Sequence, residues 1–305
     1  MSYFPHAVKS AVADASLVFN HTCLRIKDPQ RSIKFYTECF GMKLIKKMDV
    51  PMGKFTNYFL AFQEGSVFDR AGVLELTHNW VTETDPGYKI NNGNEEPHRG
   101  FGHIAFAIDN IEDACAKLES LNVNFKKRLV DGKMKDIAFA LDPDNYWIEI
   151  ISSNKNKDYK FNHTMLRVKD ATKSLEFYQN VLGMKLIQKT VHENGKFTLY
   201  FLGYQDPKSV DHKNNQEGLL ELTHNWGTES DESFHYHNGN EQPQGYGHIC
   251  VSTKDPEALC NDIDSVYKDK VTWGVKWNQG KMKNLAFIKD PDNYSIEILP
   301  HSMAL

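Results

Sequence analysis

The chain has 305 residues, 40% of them hydrophobic and 25% charged, with a formal net charge of −4 from 40 acidic and 36 basic side chains. That composition is enough apolar material for about two ordinary domains. Its mild negative balance argues against a non-specific nucleic-acid or anionic-membrane binder.

No apolar run approaches the roughly 18 residues a membrane span needs. The segment "MSYFPHAVKSAVADASLVF" lacks the basic start and uninterrupted apolar stretch of a secretory signal. Cys23, Cys39, Cys115, Cys250 and Cys260 form no Cys-x-x-Cys pair and suit buried thiols in a reducing compartment. The cytosol is the expected location.

In chain order, "HTCLRIKD" alternates and reads as a strand with Leu24 and Ile26 on one face. Asp28 can cap a following helix with Pro29 in its first turn, and Ile33, Tyr36 and Phe40 recur at helical spacing until Gly41 stops it. "KFTNYFLAF" and "GVLELTHNW" read as further strands. A second unit opens with "GHIAFAI", passes through a helix over Ile111, Cys115, Leu118 and Leu121, and returns through "DIAFAL" and "YWIEI". The Asp-Pro-Asp-Asn between those last strands is a turn, because Pro fixes one dihedral and Asx side chains bond the local backbone.

After the polar linker "SSNKNKDYK" the whole pattern returns. The 29 residues from Phe19 match those from Phe161 at 17 positions, and "ELTHNW", "GHI" and "DPDNY" recur in the same order. The period of about 145 residues marks a duplicated domain rather than a solenoid repeat, which runs 20–50 residues. The expected class is α+β, with four βαβββ modules whose curled mixed sheets surround two sites. The expected domains are 17–154 and 160–302.

Duplication also filters the 13 histidines. Three pairs recur: His21/His163, His78/His224 and His103/His248. Residues two apart on a strand share a face, so His78 lies with Leu74 and Leu76 and reads as a hydrogen-bonded core histidine. His21 shares a face with Cys23 and Arg25, opposite Leu24 and Ile26. Glu75 and Glu149 likewise oppose aliphatic faces. Four strands of the first copy therefore each place one ligand-type residue: His21, Glu75, His103 and Glu149. The second copy offers His163, Glu221, His248 and Glu297. A carboxylate among buried aliphatics is costly unless paired or metal-bound, and two imidazoles with two carboxylates suit a divalent cation in a catalytic setting. Pairing of the carboxylates with Arg25 or lysines is the competing reading.

At these residues the sequence resembles the glyoxalase I (lactoylglutathione lyase) family of the vicinal-oxygen-chelate superfamily, in the fused two-copy form of yeasts. The resemblance runs from about Leu17 to Pro300 and rests on "LRVKD", "S-L-x-F-Y-x-x-x-L-G-M", "LELTHNWG" and "DPDxYxIEI" together. It implies isomerisation of the methylglyoxal–glutathione hemithioacetal to S-D-lactoylglutathione through an enediolate, whose charge a divalent cation stabilises as a Lewis acid.

It also implies sites crossed between the copies: His21, Glu75, His248 and Glu297 around one metal, and His163, Glu221, His103 and Glu149 around the other. Glu149 and Glu297 would be the catalytic bases, with Glu75 and Glu221 serving the other substrate diastereomer or the reprotonation. The fused chain would need no second subunit and would work as a monomer. Glutathione would be held by Arg25 and Asn79 in the first site and by Arg167 and Asn225 in the second. Arg99 and Lys127 would complete the second site, with Lys133 and Met134 nearby. The first site would have Gln244 and Val275 at those two positions, with Lys281 and Met282 retained, and hence less charge for glutathione. Histidine at positions 21 and 163, where animal members carry glutamine, leaves zinc or nickel, and zinc is expected at two ions per chain. Two rival readings on this scaffold are an iron-dependent dioxygenase and a metal-free binding or sequestration protein.

Overall fold

The computed structural model describes residues 2–132, 134–210 and 212–303. Four βαβββ units follow one another. The first comprises β1 (Val18–Ile26), α2 (Pro29–Phe40), β2 (Lys43–Val50), β3 (Phe55–Ala61) and β4 (Val73–Asn79), preceded by a short helix, α1 (Lys9–Ala13). The second comprises β5 (Phe101–Ile108), α3 (Ile111–Ser120), β6 (Phe125–Lys127), β7 (Ile137–Leu141) and β8 (Trp147–Ser152). The third is β9 (Lys160–Val168), α4 (Ala171–Glu176), β10 (Lys185–His192), β11 (Phe197–Gly203) and β12 (Leu219–Asn225). The fourth is β13 (Tyr246–Thr253), α5 (Pro256–Tyr267), β14 (Thr272–Val275), β15 (Ala286–Lys289) and β16 (Ser295–Pro300). Among the described residues no helix is long and apolar enough to cross a membrane.

The helix signals act locally as the sequence implies. The Asp28 carboxylate accepts from the Gln30 and Arg31 amides, satisfying donors that α2 cannot pair, and Gly41 ends the helix at φ 78°. Asp170 caps α4 in the same way. That second helix departs from its counterpart, because it continues past Glu176 as a wider π turn over Phe177–Val181. The N-terminal arm packs against this turn, with the Val8 amide donating to the Asn180 carbonyl at 2.8 Å.

Two open eight-stranded sheets result, in the orders β14-β15-β16-β13-β1-β4-β3-β2 and β10-β11-β12-β9-β5-β8-β7-β6. Each joins one unit from the first copy to one from the second. The seams are antiparallel, β1 with β13 and β9 with β5, whereas β1–β4 and β13–β16 pair in parallel. Equivalent residues meet on the pseudo-twofold axis. Thr22 and Thr164 hydroxyls lie 2.5 Å apart, and the Phe101 and Tyr246 rings stack with centroids 5.3 Å apart. One face of each sheet packs on the helices through a continuous core that includes Leu24, Tyr36, Phe106, Leu166, Tyr178 and Ile298. The other face is left to curl around a cavity.

Close approach at the seams demands glycine. A Cβ on Gly100 would run into the His237 carbonyl oxygen, and one on Gly245 into that of Asn91. These are backbone atoms that cannot rotate away. Gly245→Ala should therefore lower stability by about 1–3 kcal/mol, as overpacking does, read as a lower denaturant midpoint. Because His248 lies three residues on, metal binding should weaken more at the cluster containing His248 than at its twin.

Candidate metal centres and substrate cavities

The seam register decides which side chains meet. Cys23 of β1 pairs with His248 of β13, and Cys23 also pairs with Glu75 of β4. His21, Glu75, His248 and Glu297 consequently converge on one cavity, with ligand atoms all within 4.8 Å of one another. On the other sheet His103, Glu149, His163 and Glu221 do the same.

The imidazole Nε2 atoms lie 3.2 Å apart in each cluster. In the first, His21 Nε2 is 2.9 Å from Glu75 and 3.4 Å from Glu297, and His248 Nε2 is 3.6 and 3.4 Å from the same two carboxylates. In the second, His163 Nε2 is 3.0 Å from Glu221 and 3.2 Å from Glu149, and His103 Nε2 is 3.8 and 3.5 Å from them. An imidazole nitrogen has one bonding direction and cannot satisfy three such neighbours at once. Donors about 2.0–2.2 Å from a shared ion would stand roughly 3–3.5 Å from one another, so these distances fit a divalent cation at the centre of each group.

Neighbours fix the ligands in orientation. His21 Nδ1 contacts Asn20 Oδ1 at 2.7 Å, and the Asn20 amide is itself anchored by donating to the Val67 and Arg70 carbonyls. Asn162 treats His163 identically, donating to the Lys213 and Gln216 carbonyls. Nδ1 thus becomes the protonated nitrogen and Nε2 the available one. The Thr77 hydroxyl donates to Glu75 at 3.0 Å, and Thr223 to Glu221 at 3.2 Å. Glu149 and Glu297 have only the imidazoles as polar neighbours among the described contacts, and their side chains are about twice as exposed, 10–11% against 4–5%.

Burial alone would raise the four carboxyls. The imidazoles outweigh it, and each lies below its ordinary value. Conversely, burial opposes charge on His163, yet Glu149 and Glu221 raise it. Burial also opposes charge on His21, where Cys250, Glu297 and Glu75 more than offset it. Burial lifts the Cys250 thiol up to about 12, so it is neutral near pH 7 and the carboxylates supply the balancing charge.

Each cluster forms the waist of a cavity, 470 Å³ for the first and 540 Å³ for the second. Arg25, Asn79 and Met282 line the first, and Arg167, Asn225, Arg99 and Met134 line the second. The Arg25 guanidinium reaches the Tyr246 carbonyl and Asn240 Oδ1, and that of Arg167 reaches the Gly93 and Phe101 carbonyls and Asn94 Oδ1. Lys127 stands apart, its ammonium turned onto the Met134 and Ile137 carbonyls at 2.8 and 2.6 Å. Lys281 is exposed and away from the cavity wall, and Lys133 lies outside the described residues. His78 is buried and pairs with Glu83 at 2.7 Å, clear of both clusters.

The sequence reading missed Asn20 and Asn162, although their recurrence in "FNHT" was a usable signal. It also missed Lys289, which lines the first cavity and donates to Ser295 at 2.7 Å, beside Asn240. At the arginine end the cavities are therefore equally charged: Arg25 with Lys289 in one, Arg167 with Arg99 in the other. The expectation of a weaker charge in the first cavity, drawn from Gln244, does not hold. Gln244 instead donates to the Asn240 carbonyl at 3.0 Å.

Metal uptake must displace protons from such raised imidazoles. Their stabilising contribution in the metal-free protein is complete below their unfolded value near 6.5 and is lost as pH rises through the raised folded values. The lowered carboxylates act only in acid, withdrawing stability as pH falls below about 4.5. Metal-free protein should therefore melt at progressively lower temperature above about pH 6.5. The gap to metal-loaded protein should widen, and loading in weak buffer should release protons.

The superfamily model described as Glyoxalase/Bleomycin resistance protein/Dioxygenase matches residues 18–150 and again 160–298. The chain is 58% identical to a protein named Glyoxalase I from Saccharomyces cerevisiae, over 98% of this chain and 97% of that one. It is 50% identical to the lactoylglutathione lyase of Schizosaccharomyces pombe, over 92% and 95%. Its structure is similar to the crystal structure of glyoxalase I from Zea mays, with a TM-score of 0.77 at 31% identity, covering 94% of this chain and 93% of that one. The chain belongs to the glyoxalase I (lactoylglutathione lyase) family, in its two-copy form.

Proposed function

We propose that this protein isomerises the hemithioacetal of methylglyoxal and glutathione to S-D-lactoylglutathione at two sites, each built from both copies, and that it works as a cytosolic monomer. The observation that carries the reading is the pair of two-histidine, two-carboxylate clusters, each at the waist of a cavity with cationic residues at one end. His21, Glu75, His248 and Glu297 would hold one divalent cation and His163, Glu221, His103 and Glu149 the other, zinc being expected from the resemblance to the fused two-copy form and nickel fitting the same donors. Each cation would supply Lewis-acid stabilisation for negative charge developing on the substrate's two adjacent oxygens.

The protein's own groups divide the remaining work. Arg25, Lys289 and Asn79 hold the tripeptide carboxylates and amides in the first site, and Arg167, Arg99 and Asn225 in the second, through charge-assisted hydrogen bonds. Glu297 and Glu149 take the proton from C1. They lack the threonine anchor of Glu75 and Glu221 and are the more accessible pair, which supports them as the mobile bases. Glu75 and Glu221 serve the second diastereomer or the reprotonation. Thr77 and Thr223 hold them in place meanwhile. The flanking phenylalanines, Phe59 and Phe201 among them, keep water from the carbanion centre.

Glu149→Gln and Glu297→Gln should each leave the opposite site working, whereas the double variant should lose roughly 10²–10⁴ in kcat, the usual contribution of a positioned acid–base group. Thioester formation from pre-equilibrated methylglyoxal and glutathione measures this. Chelator should abolish turnover and two equivalents of zinc restore it. Chelator-insensitive turnover, or none with any metal, would sink the reading. Metal analysis of Glu149→Gln should show loss at the cluster containing His163 rather than His21.

A further inference from the structure

The copies differ in loop length where the function above assigns no residue, at the end of each cavity beyond the metal cluster. Along β9 and β12, Arg167 and Asn225 mark one end, His163 and Glu221 the middle, and the loop 204–218 the other end. The corresponding loop of the first copy is the shorter segment 62–72. Its equivalences are fixed by identical hydrogen bonds. Asn20 binds the Val67 and Arg70 carbonyls where Asn162 binds those of Lys213 and Gln216. Val67 and Phe68 thus stand where the second copy has Lys213 and Asn214.

We propose that the two sites divide 2-oxoaldehydes by the substituent beyond the reacting carbons, the first taking apolar aryl groups and the second anionic groups, with Lys213 as the residue that recognises the anion. The proposal rests on the lyase reading above. With the tripeptide held at the arginine end, the aldehyde's substituent points past the cluster toward this loop.

At the first site that end is a separate apolar cluster in which Phe68, Leu285 and Leu299 are buried and Val67 and Met303 pack against them. Phe68 meets Phe59 edge-on at 5.6 Å, a surface suited to another aromatic ring. At the second site the Lys213 ammonium lies 4.2 Å over the Phe201 ring and donates to Asn214 Oδ1 at 2.7 Å. Among the described residues no ion pair places a carboxylate within 4.0 Å of it. Burial opposes its charge while Glu149, Glu221 and Asp136 favour it, so it is a partly desolvated cation with donors to spare. Asp136 lines the same cavity but is exposed, where solvent screens it. A partly desolvated ammonium with no ion-paired carboxylate among the described residues gains from an incoming anion, whereas the phenylalanine at the other site would leave that anion unpaired.

The test uses the full chain with one site silenced. Glu149→Gln reports the first site and Glu297→Gln the second, each assayed with glutathione adducts of methylglyoxal, phenylglyoxal and 3-phosphooxy-2-oxopropanal. The kcat/KM ratio of phosphorylated to phenyl substrate should be at least about tenfold higher at the second site. Adding Lys213→Met there should lower the ratio of phosphorylated to methyl substrate by about tenfold or more, and Lys213→Arg should preserve it. Equal ratios at the two sites, or a ratio unmoved by Lys213→Met, overturn the proposal.

Calorimetric binding of S-(carboxymethyl)glutathione and S-benzylglutathione gives a readout independent of turnover. Lys213→Met should weaken the first about tenfold more than the second. Equal weakening of both would make Lys213 merely structural and also overturn the proposal. Loss of methylglyoxal turnover in every form would instead count against the lyase reading, while the binding ratio still decides the selectivity.

Discussion

Everything at both sites depends on the antiparallel pairing of β1 with β13 and of β9 with β5. A single copy owns His21 and Glu75 on one unit and His103 and Glu149 on the next, but its own chain never brings those two pairs together. Only the seam with the other copy sets His248 and Glu297 opposite His21 and Glu75. The seam is tight because glycines at 100 and 245 let backbone meet backbone, and Thr22 meets Thr164 on the pseudo-twofold axis. Neither sheet is complete without the other copy, so each site is complete only when both copies have folded.

That assembly concentrates charge. Two carboxylates and two imidazoles are buried within a few ångströms of one another, where an unpaired carboxylate is strongly disfavoured. His21, His163 and His248 resolve this by holding protons above their ordinary range, and a cation would resolve it by replacing those protons. Either way the clusters stay close to neutral. The asparagines and threonines beside them set which atoms face the centre, so the geometry is in place before any ligand arrives. Pre-set geometry of this kind is what lets an electrostatic site act without reorganising during the reaction.

Strand parity is short-range, and that is why the ligand residues were legible. Whether His21 faces Cys23 or Leu24 is settled by two neighbouring residues, and recurrence in the second copy removed most false candidates. The seam is a long-range pairing that no periodicity encodes, so the crossed grouping followed only from resemblance to the family. Asn20 and Asn162 carried a repeat signal but looked like strand residues, because their role appears only when the loop carbonyls they bind are known. Lys127 matched a family position in sequence, yet its ammonium is committed to local carbonyls. Lys289 and Lys213 were invisible for a different reason. Each is present in one copy alone, and a filter built on recurrence discards what the copies do not share.

That blind spot is informative about how the fused chain can change. In a symmetric homodimer any substitution alters both sites at once, so a residue that helps one substrate and hinders another is a compromise. Fusion removes the compromise wherever a residue does not serve the seam. The eight clustered residues lie on the central strands and cannot drift without breaking a site. The loops 62–72 and 204–218 hold the cluster histidines in orientation through Asn20 and Asn162, which bind backbone carbonyls whatever side chains stand there. Phe68 and Asn214, or Val67 and Lys213, can therefore differ freely while both histidines keep the same orientation. At the arginine end the tripeptide is common to every substrate, and the two copies have reached the same charge with different residues. Balance is kept where the substrate is constant, and divergence appears where it varies.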